Sequence, residues 1–290
     1  MLKLLERAIN SLDDRLVLLA PYAPVPGIFQ NIETDARRHA QLVREMQALR
    51  GSVYLQEGAI GREELSAEGL HETAEDERSW HLLTLDRNRR VSGCIWYLEH
   101  ETDVCVDQLR VRHTPLARSG WREKLWSSVE AEVARARRLG LNYIEAGGWA
   151  VSPEIRCATD GLILAIGSFS LARLRGDCLG ITTATVRHCS SSILRRLGGA
   201  PLKAGDSIMP RYYDPRYSCD MEILRFDSRN PGKRYASLVS LLQQKLSEIQ
   251  LIAPAASTAL AGGVSAMSVP SGAWTESWAE QAVGQPAFAR

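Results

Sequence analysis

The sequence predicts an α/β (α+β) chain in which helices flank a mixed, largely antiparallel central sheet. Three observations predict it. Two apolar runs, Trp80-His-Leu-Leu-Thr-Leu85 and Val91-Ser-Gly-Cys-Ile-Trp-Tyr-Leu98, enclose the polar segment 86–90, which is the pattern of a β-hairpin. Residues 120–139 carry apolar side chains at helical spacing, end at Gly140 and precede a strand-like run at 143–151. Residues 160–175 read as a helix that is apolar all round (Leu162, Ile163, Leu164, Ile166, Phe169, Leu171, Leu174), so it must be covered on every side.

The remaining elements follow in order. Residues 1–34 are expected to form a helix and a Pro-rich linker (Pro21, Pro24, Pro26) ahead of the main domain. Residues 35–49 predict a charged helix with apolar points at Ala40, Val43, Met46 and Leu49. Gly51 is expected to end that helix, with 52–55 extended. Residues 62–77 are polar and acidic and read as an exposed loop. A third strand is expected at 104–111. In the 120–139 helix Trp121, Leu125, Trp126, Val129 and Val133 share one side. A strand at 179–186 follows the buried helix. After it come a short helix at 190–197 stopped by Gly198-Gly199, strands at 200–208 and 220–226, and a closing amphipathic helix at 235–249. The main domain is thus expected over 35–252, and 253–290, Ala/Ser/Gly-rich and nearly uncharged, as a flexible tail.

Composition narrows the classes. With 290 residues and 45% apolar content the chain can bury a sizeable core, and a net charge of +1 offers no electrostatic basis for nucleic acid as a partner. The 6 cysteines (94, 105, 157, 178, 189, 219) show no CxxC pair and no ligand spacing, so reduced, buried thiols and no metal site are expected. No run reaches the ~18 apolar residues of a membrane span. The start Met1-Leu-Lys-Leu-Leu-Glu-Arg7 lacks a signal pattern, and the expectation is cytoplasmic.

The segment from Glu145 to Arg156 carries the most chemistry. A strand that delivers a loop onto a helix N-terminus can hold a phosphate on backbone N–H groups. Ser152, Arg156 and Thr159 are the candidates there, although Arg156 also fits a plain surface arginine. A second polar cluster, 183–192, holds His188, Cys189 and Ser190. It reads as a nucleophile site with His188 as a catalytic candidate, as a substrate-lining His188, or as a helix cap at Ser190.

The order of elements resembles the GNAT acyltransferase fold, in which a strand splays from its neighbour and the gap admits a pantetheine arm. Within it the likeness is to the acyl-homoserine-lactone (autoinducer) synthases and the long-chain N-acyl amino acid synthases, over about residues 48–226. Three stretches carry it: Arg50 with Tyr54 and an acidic loop running to Asp76; His81-Leu-Leu-Thr-Leu-Asp86 with Arg90-Val-Ser-Gly-Cys94; and Glu145-Ala-Gly-Gly-Trp-Ala-Val151, which resembles the family's Glu-x-Ser-Arg-Phe-Ala-Val. The chain departs from the pattern at Gly147 and Gly148, which replace Ser-Arg, and at Trp96, where the autoinducer synthases have Arg.

What the resemblance implies is an N-acyltransferase. It would move an acyl group from acyl carrier protein or acyl-CoA to the amine of a small acceptor such as an amino acid, with no tightly bound cofactor. Glu145 would accept the amine proton, or else be a strand-end Glu paired with an Arg. Backbone N–H groups of Trp149, Ala150 and Val151 would face the thioester carbonyl, or else complete the sheet. Arg50, Tyr54, Trp96, Gly147 and Gly148 would contact substrate; the two glycines suit either a close ligand approach or a bulge. Lys124, Arg135, Arg137, Arg138, Arg195 and Arg196 would offer a basic face to an acidic carrier, or simply a solvated one. Two other readings stand beside it: a non-catalytic thioester-binding regulatory domain, and a Cys/Ser hydrolase at Cys189 and Ser190.

Overall fold

The expected hairpin forms, and a ten-stranded sheet grows from it on both sides. The computed structural model describes residues 2–12, 15–155, 159–187 and 189–254. The elements are α1 (Leu2–Asn10), β1 (Leu16–Leu19), β2 (Ile32–Thr34), α2 (Ala36–Gln56), β3 (Trp80–Leu85), β4 (Val91–His100), α3 (Arg122–Leu139) and β5 (Asn142–Val151). They continue with α4 (Asp160–Leu174), β6 (Cys178–Thr185), α5 (Ser190–Leu197), β7 (Ala200–Pro201), β8 (Lys203–Ala204), β9 (Ser207–Ile208), β10 (Tyr212–Asp214), β11 (Cys219–Asp227), α6 (Ala236–Leu246) and β12 (Gln250–Ala253). The strand order is β10-β11-β6-β5-β4-β3-β1-β12-β2, with β7 also on β11 and β8-β9 as a separate hairpin. Pairing is antiparallel except at β5-β6, β1-β12 and β12-β2.

Period-2 alternation sends each strand's side chains to two helical layers. Leu82, Ile95 and Ile144 join α1, α4 and α6 in one core cluster. On the opposite face α2 covers Leu83, Cys94 and Ala150, while α3 covers Tyr143, Ile181 and Ile223. The all-apolar α4 is accounted for by this layering, because the sheet lies on one side of it and α6 on the other. Ser170 Oγ donates to Val239 O of α6 at 3.0 Å, so the two helices touch closely. Gly140 ends α3 at φ +65°, as its position in the sequence predicts.

Four expectations are corrected. Residues 16–19 are not linker but β1, wholly buried between β3 and β12. Its partner β12 follows the helix that was expected to close the domain. A four-residue apolar run is a weak signal alone, and only the parallel pairing with residues 250–252 makes it a strand. Leu18→Ala is therefore expected to cost about 2–5 kcal/mol, read as a fall in the urea midpoint. An appended linker would show almost no change.

The second correction is at Gly51, where α2 runs straight through to Gln56. A Cβ at that glycine would stand 2.9 Å from Gly69 O and 3.3 Å from His71 N, so it marks where the 62–77 segment lies on the helix. That segment, expected to be exposed, is anchored with Leu70 and Asp76 buried. Third, residues 104–111 form single 3-10 turns at Val106–Gln108 and Arg110–His113 instead of a strand. Val104, Val106, Leu109 and Val111 pack against α3 at spacings of two, three and two, which a pleated strand does not match. Fourth, residues 200–208 break into β7, β8 and β9. The expected tail lies almost entirely outside the described residues. Among the described residues no helix is long and apolar enough to cross a membrane.

Candidate active site

The site begins where β5 and β6 part. They pair in parallel only from Asn142–Cys178 to Glu145–Ile181. Beyond that point β5 continues beside β4 as far as Gly93–Val151, and β6 continues beside β11 as far as Thr185–Met221. The two strands thus open a gap that Thr182 spans at its apex, donating from Oγ1 to Ala146 O at 2.6 Å. Ala146, Trp149 and Val151 of β5, Leu162 of α4 and Ile193 and Leu194 of α5 are partly buried and pack against one core cluster.

Glu145 stands at the apex and is 4% exposed. Its side chain is on the α3 side, and both oxygens of its carboxylate accept hydrogen bonds. Arg110 N donates to Oε1 at 2.8 Å and to Oε2 at 3.1 Å, and the His100 imidazole donates from Nε2 to Oε2 at 3.0 Å. The 3-10 turn that replaced the expected strand is what aims the Arg110 N–H at Glu145. Sequence reasoning named neither Arg110 nor His100, and no local signal marks them. The expected alternative, a Glu paired with an Arg side chain, is replaced by a backbone donor and a histidine.

One residue later the β4 ladder slips. Trp96 faces Gly147 and Cys94 faces Ala150, so one residue lies between the two pairs on β4 and two on β5. This is a β-bulge. Gly148 sits in it at φ +61°, where a side chain is strained. The Trp96 indole fills the space above both glycines: a Cβ would fall 2.4 Å from the ring at Gly147 and 2.1 Å at Gly148. The bulge also turns Trp149 toward α4, leaving its indole N–H buried without a partner. Ser152 N donates to Ser92 O at 2.8 Å, and the backbone of Ala150 bonds the Cys94 thiol. Burial pushes that thiol up to about 11.

At the head of α4, Thr159 makes no side-chain cap bond. Asp160 is paired with Arg15 at 2.8 Å and places a carboxylate on the helix's positive end. Arg156 and His188 lie outside the described residues. Cys189, at φ +61°, occupies the N-cap position of α5 without a side-chain cap bond, and the hydroxyl of Ser190, the expected cap, meets Thr185 Oγ1 at 3.2 Å. Cys94, Cys178 and Cys219 are buried, but Cys105 and Cys189 are exposed, against expectation.

Arg50, expected to contact substrate, is instead sealed at 1% exposure. It grips Asp76 with both terminal nitrogens, at 2.9 and 2.7 Å, and donates from Nε to His71 Nδ1 at 3.0 Å. Gln47 and Thr73 complete the Asp76 carboxylate. Burial would raise the Asp76 carboxyl, but the bonds and charge of Arg50, aided by Gln47, hold it down at about 2. Burial lowers His81 to about 4, although its Nε2 donates to Asp76 O at 2.7 Å. Burial and then the Arg50 charge lower His71 to about 4. His71, read as one residue of an exposed acidic loop, is thus built into the cluster. Tyr54 packs edge-on to it at 5.5 Å.

These shifts set an acid-stability profile. A histidine lowered from 6.5 binds its proton more readily when unfolded, so its contribution is intact above 6.5 and is lost as pH falls toward 4. For His81 the full loss is roughly 3 kcal/mol. Asp76, lowered from 3.8 to about 2, contributes above 3.8 and loses that contribution as pH falls through 2. Urea midpoints are expected to be level from pH 8 to 7 and to fall steadily from 6.5 to 4. A midpoint unchanged at pH 4.5 would contradict this burial.

The expected basic face keeps Arg137, Arg138, Arg195 and Arg196 exposed, and part of it has local partners. Arg135 pairs with Glu132 and Asp227, Arg195 with Glu222, and Arg137 caps the Thr102 and Val104 carbonyls.

A sheet that splays at its fifth strand ahead of a buried helix defines a GNAT-like fold. Solved structures share it. "The structure of a COA-dependent acyl-homoserine lactone synthase, BjaI, with SAM and isopentyl-CoA" is similar to this chain at TM-score 0.52 and 12% identity, covering 82% of this chain and 92% of that one. The same synthase with MTA gives TM-score 0.50, 13% identity and the same coverages. FeeM, described as an N-acyl amino acid synthase from uncultured soil microbes, gives TM-score 0.40 at 12% identity over 64% of this chain and 90% of that one. No family model matches the sequence, and no curated protein does.

Proposed function

We propose that this chain is an acyltransferase that moves an acyl group from a thioester to the amine of a small acceptor. The observation that carries the reading is the opening between β5 and β6, with Glu145 at its apex. A pantetheine arm can enter such a gap and complete the interrupted ladder with its amides, since the β5–β6 ladder ends at Glu145–Ile181 and past it only the Thr182 hydroxyl, on Ala146 O, bridges the two strands among the described residues. Glu145, acting with His100, then accepts the proton the amine must shed as the amide forms.

One further point refines the proposal. An amino acid is favoured over a lactone-forming acceptor, because the chain lacks the Ser-Arg pair of the resembling motif and Trp96, where the resembling autoinducer synthases have Arg, fills the space over Gly147 and Gly148. Purified protein is to be incubated with acyl-CoA and acyl-carrier-protein donors of several chain lengths and a panel of amino acids. Amide products by mass spectrometry, with equimolar thiol release, are the expected result. Absence of both across the whole panel, with thioester binding retained, would favour a non-catalytic binding domain.

A further inference from the structure

We infer that His71 is a hydrogen-bond donor locked in one tautomer, presented beside the Glu145 site to hold the carboxylate of the amine acceptor. This rests on the acyl-transfer reading for its biological meaning, and the geometry behind it is separate. A guanidinium only donates. Arg50 Nε lies 3.0 Å from His71 Nδ1, so Nδ1 must present a lone pair and the ring proton of the neutral imidazole sits on Nε2.

The ring has little freedom to do otherwise. Asp76 fixes the Arg50 guanidinium through two bonds, and Arg50 fixes the imidazole. The His71 backbone is tied twice, its N–H to Gln47 O at 3.2 Å and its carbonyl to Arg50 Nη2. Tyr54 braces the ring edge-on at 5.5 Å and 66°. On the side of the ring away from Arg50, no described residue accepts the Nε2 proton, and the residue is only partly buried. A positioned donor with every other contact satisfied is a pre-organised binding group.

The surroundings select the oxygen it would bind. The charges that act on the ring are those of Arg50, Asp76, Arg110 and Arg216. Asp76 is neutralised by Arg50 and Glu75 pairs with Arg110, so the remaining positive charge near the ring is that of Arg216, which favours an anionic oxygen. Arg110 links this donor to the apex of the gap, since its guanidinium lies 5.5 Å over the Trp96 ring and its N–H binds Glu145. An α-amino acid held by its carboxylate at His71 would thereby carry its amine toward Glu145. The low proton affinity of the ring, set by burial and by Arg50, keeps it a neutral donor at working pH.

The test uses long-range 1H–15N spectra of the histidine rings in the full chain. The expected result is an Nε2–H tautomer for His71 at pH 7, with its ring shift moving when α-amino acids are added and not when the matching decarboxylated amines are added. In turnover assays His71→Ala is expected to raise KM for carboxylate-bearing acceptors about tenfold or more, the size of a charge-assisted hydrogen bond, and for those acceptors alone. His71→Gln, which can both accept from Arg50 and donate, recovers part of the loss. An Nδ1–H tautomer, a ring shift blind to amino acids, or equal KM changes for both acceptor classes would overturn the inference. The spectra need no thioester donor, so a chain that forms no amide fails the acyl-transfer reading while the carboxylate response still decides the role of His71.

Discussion

Asp76→Ala is expected to lower the unfolding free energy by about 3–5 kcal/mol, the cost of stranding a buried charge. Arg50 would keep only the His71 and Met46 contacts for a guanidinium that is 1% exposed. Losing the carboxylate also frees the Thr73 and Gln47 donors that close the segment onto α2. The urea midpoint should fall accordingly, and limited proteolysis should begin to cut within residues 61–77. Joint replacement by apolar residues, Arg50→Met with Asp76→Leu, should recover much of the stability, because no unpaired charge remains. A single Asp76→Ala loss below about 1 kcal/mol would mean that the pair is hydrated.

Glu145→Gln is expected to lower kcat/KM by about 10²–10⁴-fold while leaving the fold intact. The amide oxygen can still accept from Arg110 N, and the amide NH2 can donate to His100 if that ring moves its proton to the other nitrogen. The substitution therefore removes the base and preserves the hydrogen bonds. Glu145→Ala removes the base and the hydrogen bonds together, since it leaves the Arg110 N–H buried without a partner, and should cost about 1–3 kcal/mol of stability besides activity. A Gln variant within tenfold of the parent would make Glu145 a structural latch for the 105–119 segment.

Much of the architecture was legible in residue order. The hairpin around 86–90, the amphipathic α3 with its Gly140 stop and the all-apolar α4 each rest on periodicities that short-range packing imposes. What was missed has one cause. β1 and β12 are four-residue runs whose strand character depends on each other across the chain. Gly51 reads as a helix end until the 62–77 segment is seen to need its missing side chain.

The site divides the same way. Charge at the end of an apolar strand and a pair of glycines are local anomalies that brought Glu145 and Gly147-Gly148 into contention, whereas Arg50 and Tyr54 came in through the resemblance alone. Their roles were decided by contacts between distant segments. Arg50 was turned inward by Asp76, Trp96 was laid over the glycines by the β4–β5 bulge, and His100 and Arg110 were brought to Glu145 by turns that no periodicity announces. Sequence by itself determined the β3–β4 hairpin, α3, α4 and the strands beside them, since those follow from near-neighbour sterics and burial period. Tertiary structure alone decided which polar atoms are spent on each other and which, like the Nε2–H of His71, are left for a substrate. Hydrogen-bond partnership depends on approach within about 3 Å, and in a sheet of this topology that approach is made by residues tens of positions apart.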